Sequence, residues 1–234
     1  MSSVIHVFDK DDFSKHRLAQ LPSTPTKPLG PSSLRLKTRI LGQTTNNLTY
    51  AKLGFATGWW DIYPIPEHAS APYNDRSRYA TIAGWGYAEV LQSTIPAVPT
   101  GASVYGYLHI GTGTWDVHVE ESEGRGQLMV KDEHRQHLWK VYNRLTVRPS
   151  LAESINEQGS AADGLGWDAL MEVLFGTGYN LSTYGFAWED VNRIHPAGKE
   201  DWTSEDADLR DSVVVILNAG GKTALSFAYA LRQN

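Results

Sequence analysis

Between residues 34 and 131 the chain repeats a pattern that only β-structure satisfies. Leu34, Leu36, Thr38 and Ile40 interleave with Arg35, Lys37 and Arg39, and Trp115, Val117 and Val119 interleave with Asp116, His118 and Glu120. A period of two sends one set of side chains to a core and the other to solvent. Ala83–Ser93, Ser103–Ile110 and Gln127–Lys131 are further strand candidates, rich in aromatic and β-branched residues and bounded by Gly and Pro. Residues 34–131 therefore read as a β-rich, partly open barrel.

Around this unit the pattern changes. Val4–Phe8 reads as a short strand, and Lys10–Leu21 as helical or loose. Residues 22–33 hold four Pro and one Gly and read as an extended linker. After residue 133 the spacing turns helical. Leu138, Val141, Tyr142 and Leu145 recur at three and four over His134–Leu145, and Trp167, Leu170, Met171 and Leu174 share a face of Trp167–Phe175. Residues 154–166 read as a loop and 199–211 as a solvated acidic segment. Residues 213–218, VVVILN, form a continuous apolar run of buried-strand type, followed by a Gly-Gly turn into a helix. The expected organisation is an N-terminal segment (1–33), a barrel (34–131), a helical connection (132–211) and a terminal strand-turn-helix (212–234). The fold class is α+β.

Composition narrows the chemistry. The 234 residues carry 21 Lys+Arg against 26 Asp+Glu, a formal charge of −5, and no Cys. Without Cys there is no disulfide, thiolate nucleophile, iron–sulfur cluster or Cys-based zinc site. His134 and His137 are spaced as a same-face helical pair, while His68, His109 and His118 are scattered; a surface pair is the better reading, and no metal is expected. An acidic chain without a basic patch points away from nucleic acid. No window approaches a membrane span and the start lacks a signal-peptide pattern, so a soluble cytoplasmic protein without a membrane partner is expected.

Thr45-Asn-Asn-Leu-Thr-Tyr-Ala-Lys-Leu-Gly, Trp59-Trp-Asp, Gly84-Trp-Gly-Tyr-Ala-Glu-Val, Gly101-Ala-Ser-Val-Tyr-Gly-Tyr, Tyr142-Asn143, Val173-Leu-Phe-Gly-Thr-Gly and Asn218-Ala-Gly-Gly-Lys-Thr-Ala follow one another in an order that resembles the medium-chain dehydrogenase/reductase superfamily. More narrowly, it resembles a branch known mainly from fungi and bacteria and catalogued as a domain of unknown function. The resemblance covers roughly residues 34–231. It implies a chaperonin-10-like barrel carrying the substrate and a residual Rossmann strand-turn-helix at 212–234. Asn218, Gly220, Gly221, Lys222 and Thr223 would be a vestige of the cofactor-phosphate turn. A dinucleotide fold needs further parallel strands and a ribose-reading residue about 20 positions on, and only 13 residues follow Gly221. No cofactor is therefore expected, with NADP only if the chain is a fragment.

The resemblance places the substrate cleft at Asn46, Asn47 and Tyr50. Asn amides can orient a carbonyl, and a Tyr hydroxyl can protonate a developing enolate; the plain alternative is an Asn-Asn turn. Eight Trp, eleven Tyr and six Phe supply either an ordinary core or an apolar pocket. The expected cleft holds Asn46, Asn47, Trp60, Trp85, Tyr107, Tyr142 and Asn143, with Tyr50 as proton donor and His109 as its base or orienting partner. Asp61 and Glu89 are the other ionisable groups to follow. The expected function is a cofactor-independent isomerase, dehydratase or cyclase acting on a hydrophobic, secondary-metabolite-like molecule. The alternatives are a truncated NADP-dependent oxidoreductase and a non-catalytic ligand-binding protein. The apolar run at 213–217, lacking partner strands, also suggests a homodimer.

Overall fold

The computed structural model describes residues 2–23, 25–157, 163–198 and 201–233. They form two compact units, Met1–Leu170 and Met171–Asn234.

The first unit contains, in chain order, β1 (Ser3–Asp9), β2 (His16–Leu21), β3 (Ser33–Gly42), α1 (Thr45–Thr57), a 3-10 turn (Trp59–Asp61), β4 (Tyr79–Ala80), β5 (Ala83–Ser93), β6 (Ser103–His109), β7 (Thr114–Glu121), β8 (Gln127–Val130), a 3-10 turn (Glu133–Arg135), α2 (Lys140–Asn143), β9 (Arg144–Arg148) and α3 (Leu151–Glu157). α4 (Asp163–Asn180) begins in it. β2-β1-β4 make a small antiparallel sheet, and β3-β5-β6-β9-β8-β7 make a closed barrel. The expected strands at 4–8, 34–40, 83–93, 103–110, 115–120 and 127–131 all form. Lys10–Leu21 contains β2 rather than a helix, because Val4–Phe8 supplies a register for residues 16–20.

The barrel is closed, not partly open, and the reason is β9. The spacing of His134–Leu145 suggested one helix, yet only Glu133–Arg135 and Lys140–Asn143 coil. Arg144 then takes extended backbone and residues 144–148 pair with β6 on one side and β8 on the other. The barrel strands therefore run to Arg148, beyond the expected limit at residue 131. β3 completes the ring by pairing with both β5 and β7, with register shifts between Arg35/Leu36 and Thr38/Ile40 that bend it. Gly86 faces Gly106 across β5 and β6. A Cβ on Gly86 would lie 2.0 Å from the Ile40 carbonyl oxygen, so the strands curl tightly only without a side chain there.

Inside the ring pack Leu34, Leu36, Ala88, Val90, Val104, Leu108, Val117, Val119, Leu128, Val130 and Leu145. Each buried Val or Leu contributes about 1.5–3 kcal/mol relative to exposure. Because strand side chains alternate, Trp85, Tyr105 and Tyr107 stand on the opposite, outer face. The expected loop at 154–166 is partly helical: α3 ends at Glu157 and α4 starts at Asp163, with 158–162 outside the described residues.

The second unit holds the remainder of α4, a π turn (Leu181–Gly185), a 3-10 turn (Asp190–Asn192), α5 (Ser204–Ala207) and α6 (Lys222–Gln233). The expected turn into a helix at 219–231 forms as α6. The expected buried strand does not: residues 213–217 have no strand pairing, and Val213 and Leu217 are 88% and 97% exposed. An apolar run becomes a central strand only when neighbours accept its backbone hydrogen bonds on both edges. The described residues of this unit contain no strand to do so.

Candidate functional site

α1 is set by local chemistry. Thr44 caps it, with Asn46 N–H donating to Thr44 Oγ1 at 3.2 Å and Asn47 Oδ1 accepting from Thr44 N–H at 2.7 Å, a reciprocal capping box. Asn47 Nδ2 also donates to the Ala83 carbonyl at 3.1 Å, which moors the helix to β5. Asn47 is therefore committed to the helix start, and Asn46 sits beside it one turn before Tyr50. Tyr50, Ala51 and Gly54 form the buried stripe of α1.

Tyr50 lands on the outer face of the barrel among the expected aromatics. Its ring centroid is 5.1 Å from Tyr107, 6.2 Å from Tyr142 and 4.8 Å from Trp59. Trp85 lies 5.3 Å from Tyr107 and 5.9 Å from Tyr142, and its Nε1–H donates to the Tyr50 hydroxyl at 3.3 Å. Tyr142 meets the Tyr50 ring edge-on, and its ring centroid is 5.7 Å from Trp59. Burial pushes the Tyr50 and Tyr142 phenols above the ordinary 10.0, with the bond from Trp85 opposing it at Tyr50. Burial holds Tyr107 well above as well, and its hydroxyl has no hydrogen bond of good geometry, the Ala83 backbone being a minor influence. All three phenols are protonated at neutral pH.

Three expected members stand elsewhere. Trp60 turns away: its Nε1–H donates to the Ala51 carbonyl at 2.9 Å, and its ring meets Phe8 and the Lys10 ammonium. Asn143 exchanges two hydrogen bonds with Arg135, at 3.0 and 2.9 Å. His109 is buried at the end of β6 between Tyr63 and Trp115. Its Nδ1 is 3.2 Å from Thr38 Oγ1. Burial lowers its pKa to about 4. No hydrogen bond or ring contact among the described residues joins it to Tyr50. Glu89 pairs with Arg39 at 2.6 Å, and the cofactor-turn residues Asn218, Gly220, Gly221, Lys222 and Thr223 lie in the second unit.

Beside the aromatic layer opens a pocket of about 530 Å³, within the size range of small-molecule sites. Trp59, Asp61, His137, Leu138 and Tyr142 line it, and Phe55 and Trp139 stand at it 71% and 76% exposed. Sequence reasoning missed Trp59, His137 and Trp139 as site residues. The Trp59-Trp60 doublet was visible, but which ring faces Tyr142 depends on the turn at Gly58. His137 appeared only as half of a helical His pair. Among the described residues no group of three or more His, Asp or Glu could hold a metal, and no helix is long and apolar enough to cross a membrane.

Residues 41–234 match a family model described as "Protein of unknown function (DUF2855)". The chain belongs to the DUF2855 family. The matched span takes in α1, five of the six barrel strands, the pocket and the whole second unit, so the site lies within what this DUF2855 member shares with its family model. No curated protein and no solved structure matches the chain.

Proposed function

We propose that this protein is a cofactor-independent enzyme of the isomerase type, acting on an apolar small molecule that bears a carbonyl group. The observation that carries this reading is the pocket beside Trp59, where the buried Tyr142 phenol forms part of the wall with the Tyr50 ring packed edge-on against it. A phenol kept protonated by burial is suited to donate to a carbonyl oxygen as negative charge develops there. Tyr142, the phenol on the pocket wall, is the one that donates to the substrate. His137 and Asp61, on the same pocket wall, are the bases for a carbon-bound proton next to the carbonyl. The base takes that proton, the electron pair moves into the enolate held by Tyr142, and reprotonation at another carbon completes a shift with no net redox change.

The apolar wall supports a hydrophobic substrate, as does the likeness to the substrate barrel of medium-chain reductases. The test is deuterium incorporation from D₂O into 2-cyclohexenone and 2-acetylnaphthalene, followed by NMR. Wild type should accelerate exchange next to the carbonyl. Tyr142→Phe should lower the rate about 100-fold or more, the usual loss on removing an oxyanion donor. Exchange no faster than in buffer, or unchanged by Tyr142→Phe, would defeat the proposal.

A further inference from the structure

Arg135 is 1% exposed, among the most completely buried side chains of the protein. None of the ion pairs among the described residues includes it. Its guanidinium is nonetheless held on three sides. Nε–H donates to Asn143 Oδ1 at 3.0 Å, Nη2–H donates to the Tyr142 carbonyl at 2.7 Å, and the group stacks 5.0 Å over the Tyr63 ring. Asn143 returns a bond to the Arg135 carbonyl at 2.9 Å, so neither partner can swing away alone. The remaining nitrogen, Nη1, is buried with no hydrogen-bond partner.

A buried charge without a counter-charge is strongly unfavourable, and arginine cannot escape the cost by losing its proton. Fixing the fork while leaving one nitrogen free is the arrangement expected of a preorganised anion receptor. The neighbours of Arg135 connect it to the pocket. Leu138, whose amide bonds to the Arg135 carbonyl at 3.1 Å, and Tyr142, whose carbonyl accepts Nη2–H, both line the pocket. Arg135 is thus tied to two residues of the pocket wall while standing outside the lining itself.

We infer that Arg135 is the anion-recognition element of this pocket, and that the ligand is an apolar molecule carrying a carboxylate. The inference rests on the pocket reading above and names the class of ligand. The aromatic wall takes the hydrocarbon part, and the carboxylate reaches Nη1 as the Leu138–Trp139 turn rearranges. Trp139, in that turn, is 76% exposed.

Tryptophan fluorescence titration of the full chain with 2-naphthoate and its neutral isostere 2-naphthamide tests this. Wild type should bind the acid at least tenfold more tightly than the amide, and the preference should shrink as salt is raised. Arg135→Lys, which keeps the charge but loses the fork, should shrink the acid-over-amide preference tenfold or more. Arg135→Met should abolish the preference. Because Arg135 also anchors Asn143, near-ultraviolet circular dichroism should confirm that each variant is folded; the acid–amide comparison in wild type needs no variant. Equal binding of the two probes by wild type overturns the inference and leaves the pocket standing. A preference that survives in folded Arg135→Met also overturns it. Failure of both probes to bind overturns the inference and the pocket reading together.

Discussion

Gly58 and His137 are in direct contact: a Cβ built on Gly58 would lie 1.8 Å from His137 Nε2. Gly58 also has φ +75°, the left-handed conformation that ends α1 and starts the Trp59–Asp61 turn. Glycine meets both demands, since it has no Cβ to clash and little cost at positive φ. Gly58→Ala should destabilise the protein by about 1–2 kcal/mol through backbone strain alone. It should also displace His137 from the pocket wall. Chemical denaturation reads the first effect. Loss of 2-naphthamide affinity in the folded variant reads the second.

Tyr50 accepts from the Trp85 indole at 3.3 Å. Tyr50→Phe keeps the ring but leaves the buried indole N–H without an acceptor, a loss of about 1–3 kcal/mol. The proton-exchange rate should fall less than in Tyr142→Phe, because Tyr142 and not Tyr50 lines the pocket. A variant as stable as wild type in urea denaturation would show that this hydrogen bond is not formed.

Arg35 ties three barrel strands together. It meets both Asp116 carboxylate oxygens at 2.7 Å and Gln92 Oε1 at 3.0 Å. The pair is asymmetric, with side-chain exposures of 10% for Arg35 and 45% for Asp116. Removing Asp116 leaves a buried guanidinium without its counter-charge; removing Arg35 leaves a carboxylate that water can solvate. Asp116→Ala should therefore cost more stability than the ion pair itself contributes, about 2–3 kcal/mol. A loss below about 0.5 kcal/mol would mean the pair behaves as an ordinary surface bridge.

Acid should weaken the fold in a window set by two histidines. Burial, with His16 acting second, lowers His6 from 6.5 to about 4, and burial lowers His109 to about 4. The folded state then binds fewer protons than the unfolded chain below pH 6.5. Stability present above pH 6.5 is lost as pH falls toward 4, by up to about 3 kcal/mol for each histidine. The shifted aspartates have unfolded values near 3.8, so their contribution disappears mainly below that window. Urea denaturation from pH 7 to 4 should show the fall, and His6→Phe should remove about half of it. A flat profile would contradict the burial of both rings.

NADPH is expected not to bind. Gly220 and Gly221 precede α6, which Lys222 and Thr223 begin, yet the apolar run before them forms no strand, so the strand half of a dinucleotide cradle is missing from the described residues. Micromolar enhancement of NADPH fluorescence, abolished by Lys222→Ala, would restore the oxidoreductase reading.

The alternation of Leu34–Ile40 and Trp115–Glu120 made the barrel strands legible, because a two-residue period is a local property that survives into the fold. The ring's closure was not local. Leu145 sits within a helical spacing, and only pairing with β6 and β8 makes residues 144–148 a strand. The run at 213–217 shows the converse: its side chains favour a strand, but strand formation requires hydrogen-bonding neighbours that the described unit lacks. The abundance of Trp and Tyr announced an aromatic layer. Which rings meet was decided in three dimensions, where the left-handed turn at Gly58 points Trp59 toward Tyr142 and Trp60 toward Phe8. Residue type and period belong to the sequence. The choice between adjacent, chemically identical side chains belongs to the tertiary structure, because one backbone rotation at a single glycine determines which of the two reaches the pocket.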